Sequence, residues 1–228
     1  MKNTTINLGV IRKVAHALGE LNERVAYVGG AAVSLYINDP AADDVRPTKD
    51  VDISLEIASI GELDKLREEL TRKGFVQKSE DNVICRFRYD DAMVDVMSTR
   101  QVGWAPSDKW FEPGFKHLEE MEIEDMRVHV LPLAYFLASK FSAFHDRGGN
   151  DPRASHDFED IVYILDNRTD LVDTILKSPD DVKSYLKSEF NTILINSGLQ
   201  EAVLGNLYFE TQTKRFDLIK DKLKKIIE

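Results

Sequence analysis

In Lys49-Asp50-Val51-Asp52-Ile53-Ser54-Leu55 acidic and apolar residues alternate within a β-rich run. Side chains along a strand repeat with a period of two, so Asp50 and Asp52 share one face while Val51, Ile53 and Leu55 share the other. Two carboxylates on one face repel each other. A pair of divalent cations about 3.5–4 Å apart, bridged by them, converts that repulsion into binding. Mg²⁺ suits carboxylate and phosphate oxygens best, and Mn²⁺ shares the preference. Upstream, the apolar run Val25-Ala26-Tyr27-Val28 ends in Gly29-Gly30, followed by the short helical segment Ala31–Ile37 and the breaker Asn38-Asp39-Pro40. Glycines at a helix start let a phosphate approach unpaired backbone N–H groups. A strand, a glycine pair and a strand of paired acids together point to metal-dependent phosphoryl transfer, with Gly29 and Gly30 as phosphate-binding residues.

Composition narrows the class. The chain has 228 residues, 43% of them hydrophobic, with 12 Gly and 7 Pro, enough to bury a sizeable core in one or two domains. No window approaches the roughly 20 apolar residues of a membrane span, and the polar start Met1-Lys2-Asn3-Thr4-Thr5 lacks the apolar core of a signal peptide. The expectation is a cytoplasmic protein with no membrane partner. The single cysteine, Cys85, forms no internal disulfide and reads as a buried residue of a strand interior. A net charge of −10 argues against a general nucleic-acid binder, though a local basic groove is compatible with it.

Leu8, Ile11, Val14, Ala15, Leu18 and Leu21 recur at helical spacing and lead into the strand 25–28. Ile60, Leu63, Leu66 and Leu70 mark a helix over 59–73, stopped by Gly74. Strands are expected at 75–77, 83–89 and 92–97, the last two joined by a tight turn at Asp90-Asp91, and a further hairpin at 120–124 and 127–131. From Pro132 the pattern becomes helix after helix: 132–146, 154–165, 169–177, 179–195, 198–209 and 211–227. The fold class is α/β (α+β) with a mixed or antiparallel sheet over 1–131, followed by an all-α domain over 132–228.

Asp95, in Met93-Val94-Asp95-Val96-Met97, alternates with Val94 and Val96, so its carboxylate projects from the opposite side and is placed to join Asp50 and Asp52. Gly-Gly, then Asp-x-Asp on one strand, then a lone Asp on a later strand resembles the DNA polymerase β-like nucleotidyltransferase superfamily. There the first two acids hold both metals, and the third holds one and helps to activate the attacking hydroxyl; by resemblance these roles fall on Asp50, Asp52 and Asp95. Arg46-x-Thr48-x-Asp50-x-Asp52 is similar to the Arg-x-Ser/Thr-x-Asp-x-Asp of AbiEii-type nucleotidyltransferases, which include toxins of type IV toxin–antitoxin systems. Their helical domain carries a Lys, an Arg and an Asp-x-x-Asp pair, matched here by Lys140, Arg147, Asp157 and Asp160. Two features depart from the pattern: Ala31 stands where many superfamily members have Ser, and nineteen residues separate Gly30 from Asp50.

The resemblance implies a nucleotidyltransferase that uses an NTP and two Mg²⁺ ions, with the helical domain closing over the nucleotide. Arg46, Thr48, Lys140, Arg147, Asp157 and Asp160 then join Gly29 and Gly30 as nucleotide-binding residues, and an antitoxin protein becomes a candidate partner. RNA, in particular the 3′ end of tRNA, is the first acceptor to consider; a small molecule such as an aminoglycoside is the second, since an acidic cleft attracts a cation. A catalytically silent nucleotide-binding or interaction module is a third reading, which the retention of all three acids opposes. Plainer roles stand beside the chemical ones. Asp157 and Asp160, three apart on one helix face, can brace Lys140 or Arg147 by ion pairing. Arg46 and Thr48 can steady the acidic strand. Trp104 and Trp110 can pack the domain junction rather than stack a base, and the basic residues of 214–225 can form a solvated face rather than bind RNA. His145 and His156, flanking Arg147-Gly148-Gly149-Asn150-Asp151, lack the spacing of a metal site.

Overall fold

The computed structural model describes residues 2–148 and 151–228; Gly149 and Asn150 of the glycine-rich loop lie outside the described residues. The chain forms two compact units, Met1–Leu35 with Asp44–Pro132, and Tyr36–Asp43 with Leu133–Glu228. The eight-residue segment 36–43 thus belongs with the helices although it precedes the acidic strand. Among the described residues no helix is long and apolar enough to cross a membrane.

The first unit opens with helix α1 (Asn3–Leu18), whose buried face is Asn7, Val10, Ile11, Val14, Ala15 and Leu18. A 3₁₀ turn leads into β1 (Val25–Val28), all of it buried. One helical turn, α2 (Gly29–Ala32), continues as a 3₁₀ turn to Tyr36. Then come β2 (Asp50–Leu55), α3 (Ile60–Arg72), β3 (Arg86–Tyr89), β4 (Ala92–Ser98), α4 (Phe111–Phe115), β5 (Glu119–Ile123) and β6 (Met126–Val130). Ser59 caps α3 by accepting a hydrogen bond from the Glu62 N–H, and Gly74, at φ +90°, ends it as a left-handed C-terminal stop. The sheet order is β3-β4-β2-β1-β6-β5. β2 runs parallel to β4 and β1 parallel to β6, while β1–β2, β3–β4 and β5–β6 are antiparallel. The sheet is therefore mixed.

Two strand expectations are corrected. Residues 75–77 reduce to a single bridge, Val76 to Arg88, and residues 83–85 form the turn before β3. Residues 75–77 exchange only one pair of backbone bonds with the edge strand β3, 2.9 and 2.8 Å, because the chain leaves that edge at once into the turn closed by the Asp81 N–H on the Lys78 carbonyl. Cys85 is buried as expected, at the entrance to β3 rather than within a strand. The tight turn at Asp90-Asp91 is present, with Asp90 at φ +54°, and the second hairpin turns at Glu124-Asp125.

In the second unit α5 (Leu133–Ala143) is buried from Leu133 through Phe141 on every side, the signature of a central helix. It packs against α6 (His156–Asn167), α7 (Leu171–Leu176) and α8 (Asp180–Ile195). Tyr36 stacks on Phe136 with ring centroids 4.2 Å apart, which ties segment 36–43 to this core. The helices α9 (Ser197–Gly205) and α10 (Gln212–Ile227) complete the unit.

Asn7 holds the approach to β2. It is fully buried; its Nδ2 donates to the Arg46 carbonyl (2.9 Å) and its Oδ1 accepts from the Thr48 N–H (2.9 Å). A side-chain amide thus does for 46–48 what a neighbouring strand would do. Asn7→Ala strands both backbone groups, and stability should fall by about 1–3 kcal/mol. Urea unfolding should show a lower midpoint at unchanged slope; a midpoint equal to that of wild type would refute the clamp.

Candidate active site

One cross-sheet row carries the acidic site. Val28 of β1 pairs with Asp52 of β2, Asp52 with Asp95 of β4, and Asp95 with Arg86 of β3. The next row sets Asp50 beside Met93 and Met93 beside Arg88. Paired residues share a face, so Asp50, Asp52 and Asp95 rise from the same side of the sheet. Val51, Ile53, Val94, Val96 and Phe87, all buried, fill the other side. The alternation read from sequence is the alternation observed.

Each acid is held differently. The Asp50 N–H donates to the Thr48 hydroxyl at 3.0 Å, so Thr48 steadies the start of β2; the Asp50 carboxylate oxygen Oδ1 is buried with no hydrogen-bond partner. Asp52 lies against the backbone of Gly29, where an added Cβ would sit 1.8 Å from Oδ2 and 2.9 Å from the Asp52 Cβ. Gly29 also has φ +72°, a conformation that favours glycine. The first glycine therefore makes the seat for Asp52, a requirement separate from any phosphate contact. Asp95 accepts from Arg86 Nε at 2.8 Å and Nη2 at 2.7 Å, a bidentate pair that raises the arginine pKa through the hydrogen bond. Burial, with the Asp95 and Asp52 charges adding to it, pushes the nearby Cys85 thiol up to about 11, which leaves it protonated and unreactive.

A divalent cation fits this set in part. The two β2 acids share a face, and the partnerless oxygen of Asp50 is the kind of buried acceptor that asks for a cation. Asp95 is turned to Arg86 instead. Among the described residues no group of three or more His, Cys, Asp or Glu side chains stands ready to hold a metal ion.

The helical unit brings Lys140, Arg147, Asp157 and Asp160 together. Lys140 is buried, its Nζ 2.6 Å from Asp160 Oδ2 and 3.4 Å from Asp157 Oδ1, and Arg147 Nη2 lies 2.9 Å from Asp157 Oδ2. The ion-pair bracing foreseen for the two acids is present. Arg46 is half-buried in the segment clamped by Asn7. Trp104 packs on Phe87 (6.0 Å) with Arg67 over its ring (4.7 Å), and Trp110 is buried; both pack the first unit. The basic helix α10 is less solvated than its charges imply. Arg215 pairs with Asp166 at 2.5 Å, and Lys222 Nζ donates to the carbonyls of Leu165, Asp166 and Arg168 at 2.8–3.0 Å, capping the end of α6.

Sequence reasoning missed Asn7 and Arg86. Asn7 was signalled by a polar residue on the apolar stripe of α1. Arg86 was signalled by the tight turn: counting three residues back from Tyr89 and three forward from Ala92 pairs it with Asp95.

The nucleotidyltransferase class is shown by the chain's family. The family model for the nucleotidyl transferase AbiEii toxin of type IV toxin–antitoxin systems matches residues 14–225, and the chain belongs to that family. The curated proteins contain no match. Among solved structures, an antigenic nucleotidyltransferase-like protein from Paracoccidioides brasiliensis aligns over 87% of this chain and 92% of its own, with 17% identity and a TM-score of 0.48. The antibiotic-resistance factor ANT(2'')-Ia aligns over 83% and 96%, with 16% identity and a TM-score of 0.48. Both likenesses are too distant to carry function across.

Two substitutions test this geometry. Lys140→Met leaves the buried Asp160 charge without its close partner, and stability should drop by about 3–5 kcal/mol, most of it recovered by adding Asp160→Leu. Urea melts of the single and double variants decide this, and a single-variant loss below about 1 kcal/mol would contradict a buried ion pair. Gly29→Ala should lower stability by at least about 1–2 kcal/mol, from the left-handed backbone alone; an unshifted thermal melt would mean that the Asp52 seat is not there.

Proposed function

We propose that this chain transfers a nucleoside monophosphate from an NTP to a hydroxyl of RNA, with the 3′ end of tRNA as the acceptor. The carrying observation is the acidic face: Asp50 and Asp52 one position apart on β2, Asp95 beside Asp52 on β4, and a buried Asp50 oxygen without a partner. Asp50, Asp52 and Asp95 would hold Mg²⁺, or Mn²⁺ in its place, as a pair of ions. When bound, such ions lower the pKa of the acceptor hydroxyl and neutralise charge on the departing pyrophosphate.

The chain's own work in this proposal is positioning and charge placement. Gly29 seats Asp52, Thr48 and Asn7 fix the start of β2, and Asp95 accepts the proton of the attacking hydroxyl. A bond forms between that oxygen and the α-phosphorus as the bond to pyrophosphate breaks. Gly29, Gly30, Arg46, Thr48, Lys140, Arg147, Asp157 and Asp160 are assigned to the nucleotide by family resemblance.

RNA is favoured as acceptor by membership of a toxin family, on which an antitoxin partner is proposed as well. With a net charge of −10, contacts to RNA phosphates must come from locally basic groups. The test is incubation of the purified protein with each α-³²P-labelled NTP, Mg²⁺ and total RNA, read on a denaturing gel. A discrete labelled RNA band is expected, lowered roughly hundredfold or more by Asp50→Asn or Asp52→Asn in variants whose circular dichroism matches wild type. Unlabelled RNA beside a labelled aminoglycoside would move the acceptor to small molecules, and near-wild-type labelling by either variant would sink the assignment of the acids.

A further inference from the structure

We propose that Arg86 is a built-in counter-ion of the acidic row, which holds Asp95 in the metal-free protein and surrenders it when a divalent cation binds. The proposal rests on the metal-dependent reading above and adds to it a residue and an order of events.

Three carboxylates on one sheet face, backed by a buried apolar layer, repel one another whenever nothing positive lies among them. Arg86 supplies that charge from the same cross-sheet row. It follows Asp52 and Asp95 on β3, the edge strand, and its fork takes both oxygens of Asp95, at 2.8 and 2.7 Å. The pair is largely withdrawn from solvent, with side-chain exposures of 22% for Arg86 and 14% for Asp95, so it is not a surface pair of negligible worth. The next arginine on the strand, Arg88, is committed to Asp81 through a bidentate pair of its own. Arg86 alone of the two serves the acidic row.

The same geometry makes arginine and metal competitors. A cation at Asp50 and Asp52 needs Asp95 to complete its ligands, and those oxygens point to the guanidinium. Two positive groups cannot share one carboxylate without repelling each other. A long side chain on an edge strand can leave toward solvent without backbone movement, whereas Asp95, on β4 between β2 and β3, stays in place. Exchange of arginine for metal therefore needs only a rotamer change.

The competition has a sign that a merely structural arginine does not share. Mn²⁺ binding to the full-length protein, followed by loss of the free-ion electron paramagnetic resonance signal, is the direct readout. Arg86→Met should bind Mn²⁺ about tenfold or more tightly than wild type, because both the competing ion pair and the repulsion are gone. In the metal-free state it should melt at a lower temperature than wild type, and saturating Mn²⁺ should close most of the gap. Arg86→Lys, which keeps the charge but loses the fork, should fall between them, and Arg86→Gln repeats the test should the methionine variant fail to fold. Unchanged or weaker Mn²⁺ binding by the Arg86 variants, while wild type binds and Asp50→Asn does not, would overturn the counter-ion and leave the metal reading standing. Absence of Mn²⁺ binding by wild type and Arg86→Met alike would overturn both.

Discussion

The parallel pairing of β2 with β4 sets Asp52 beside Asp95, and most of the first unit answers the demand this creates. Acidic groups two to a strand and adjacent across strands store repulsion on one face, while the opposite face must be apolar enough to hold the sheet down. Val51, Ile53, Val94 and Val96 meet the second need by complete burial. The first need is met group by group. Gly29 removes the side chain that would collide with Asp52, Arg86 neutralises Asp95, and Thr48 fixes the backbone of Asp50. Lys49 ties the same corner from outside, its ammonium on Asp91 at 2.9 Å and its carbonyl accepting from Met93 N–H at 3.0 Å.

The helical unit solves a similar problem at greater depth. A lysine withdrawn from water costs several kcal/mol unless its charge is matched, and Lys140 is matched by two carboxylates from one helix. That helix must then be held in place. Its N-terminus is capped by Ser155, which accepts from the Phe158 N–H, and its C-terminal carbonyls by Lys222 from α10, while Arg215 holds the side chains of Asp166 and Asn167. The basic tail is thus part of the scaffold of the ion pair. The Lys222 ammonium faces backbone carbonyls at a helix end, where the helix dipole favours it.

How much of this was legible from sequence follows the range of each interaction. Period-two alternation identified the shared face of Asp50 and Asp52, because it is a property of one strand. Asp95 was legible for the same reason, and the helices from Pro132 onward through their apolar spacing. The parallel β2–β4 pairing was not legible, because it joins strands separated by α3 and a long loop, and no turn fixes its register. Residues 75–77 and 83–85 show the converse error. They have strand composition, yet turns closed at 78–81 and 83–86 leave them one bridge, Val76 to Arg88, and one bond, from the Val96 N–H to the Cys85 carbonyl. Asn7 lay hidden because its partners are backbone groups about forty residues away, which no side-chain pattern records. Lys222 lay hidden likewise, because a lysine that caps a helix end reads in sequence like one that faces water.

Ala31 brings these strands of argument to one point. As a departure from the superfamily pattern it reads as a lost hydroxyl beside the Gly29-Gly30 turn. In the structure Ala31 is 1% exposed and belongs to the core beneath that turn. A serine there would have to bury its hydroxyl or reshape the turn, and a buried hydroxyl without a partner is costly. The turn has instead taken the apolar residue and kept the glycine whose replacement would collide with Asp52. Of the two constraints on this short segment, seating the carboxylate and contacting a ligand by a side chain, the chain has kept the first.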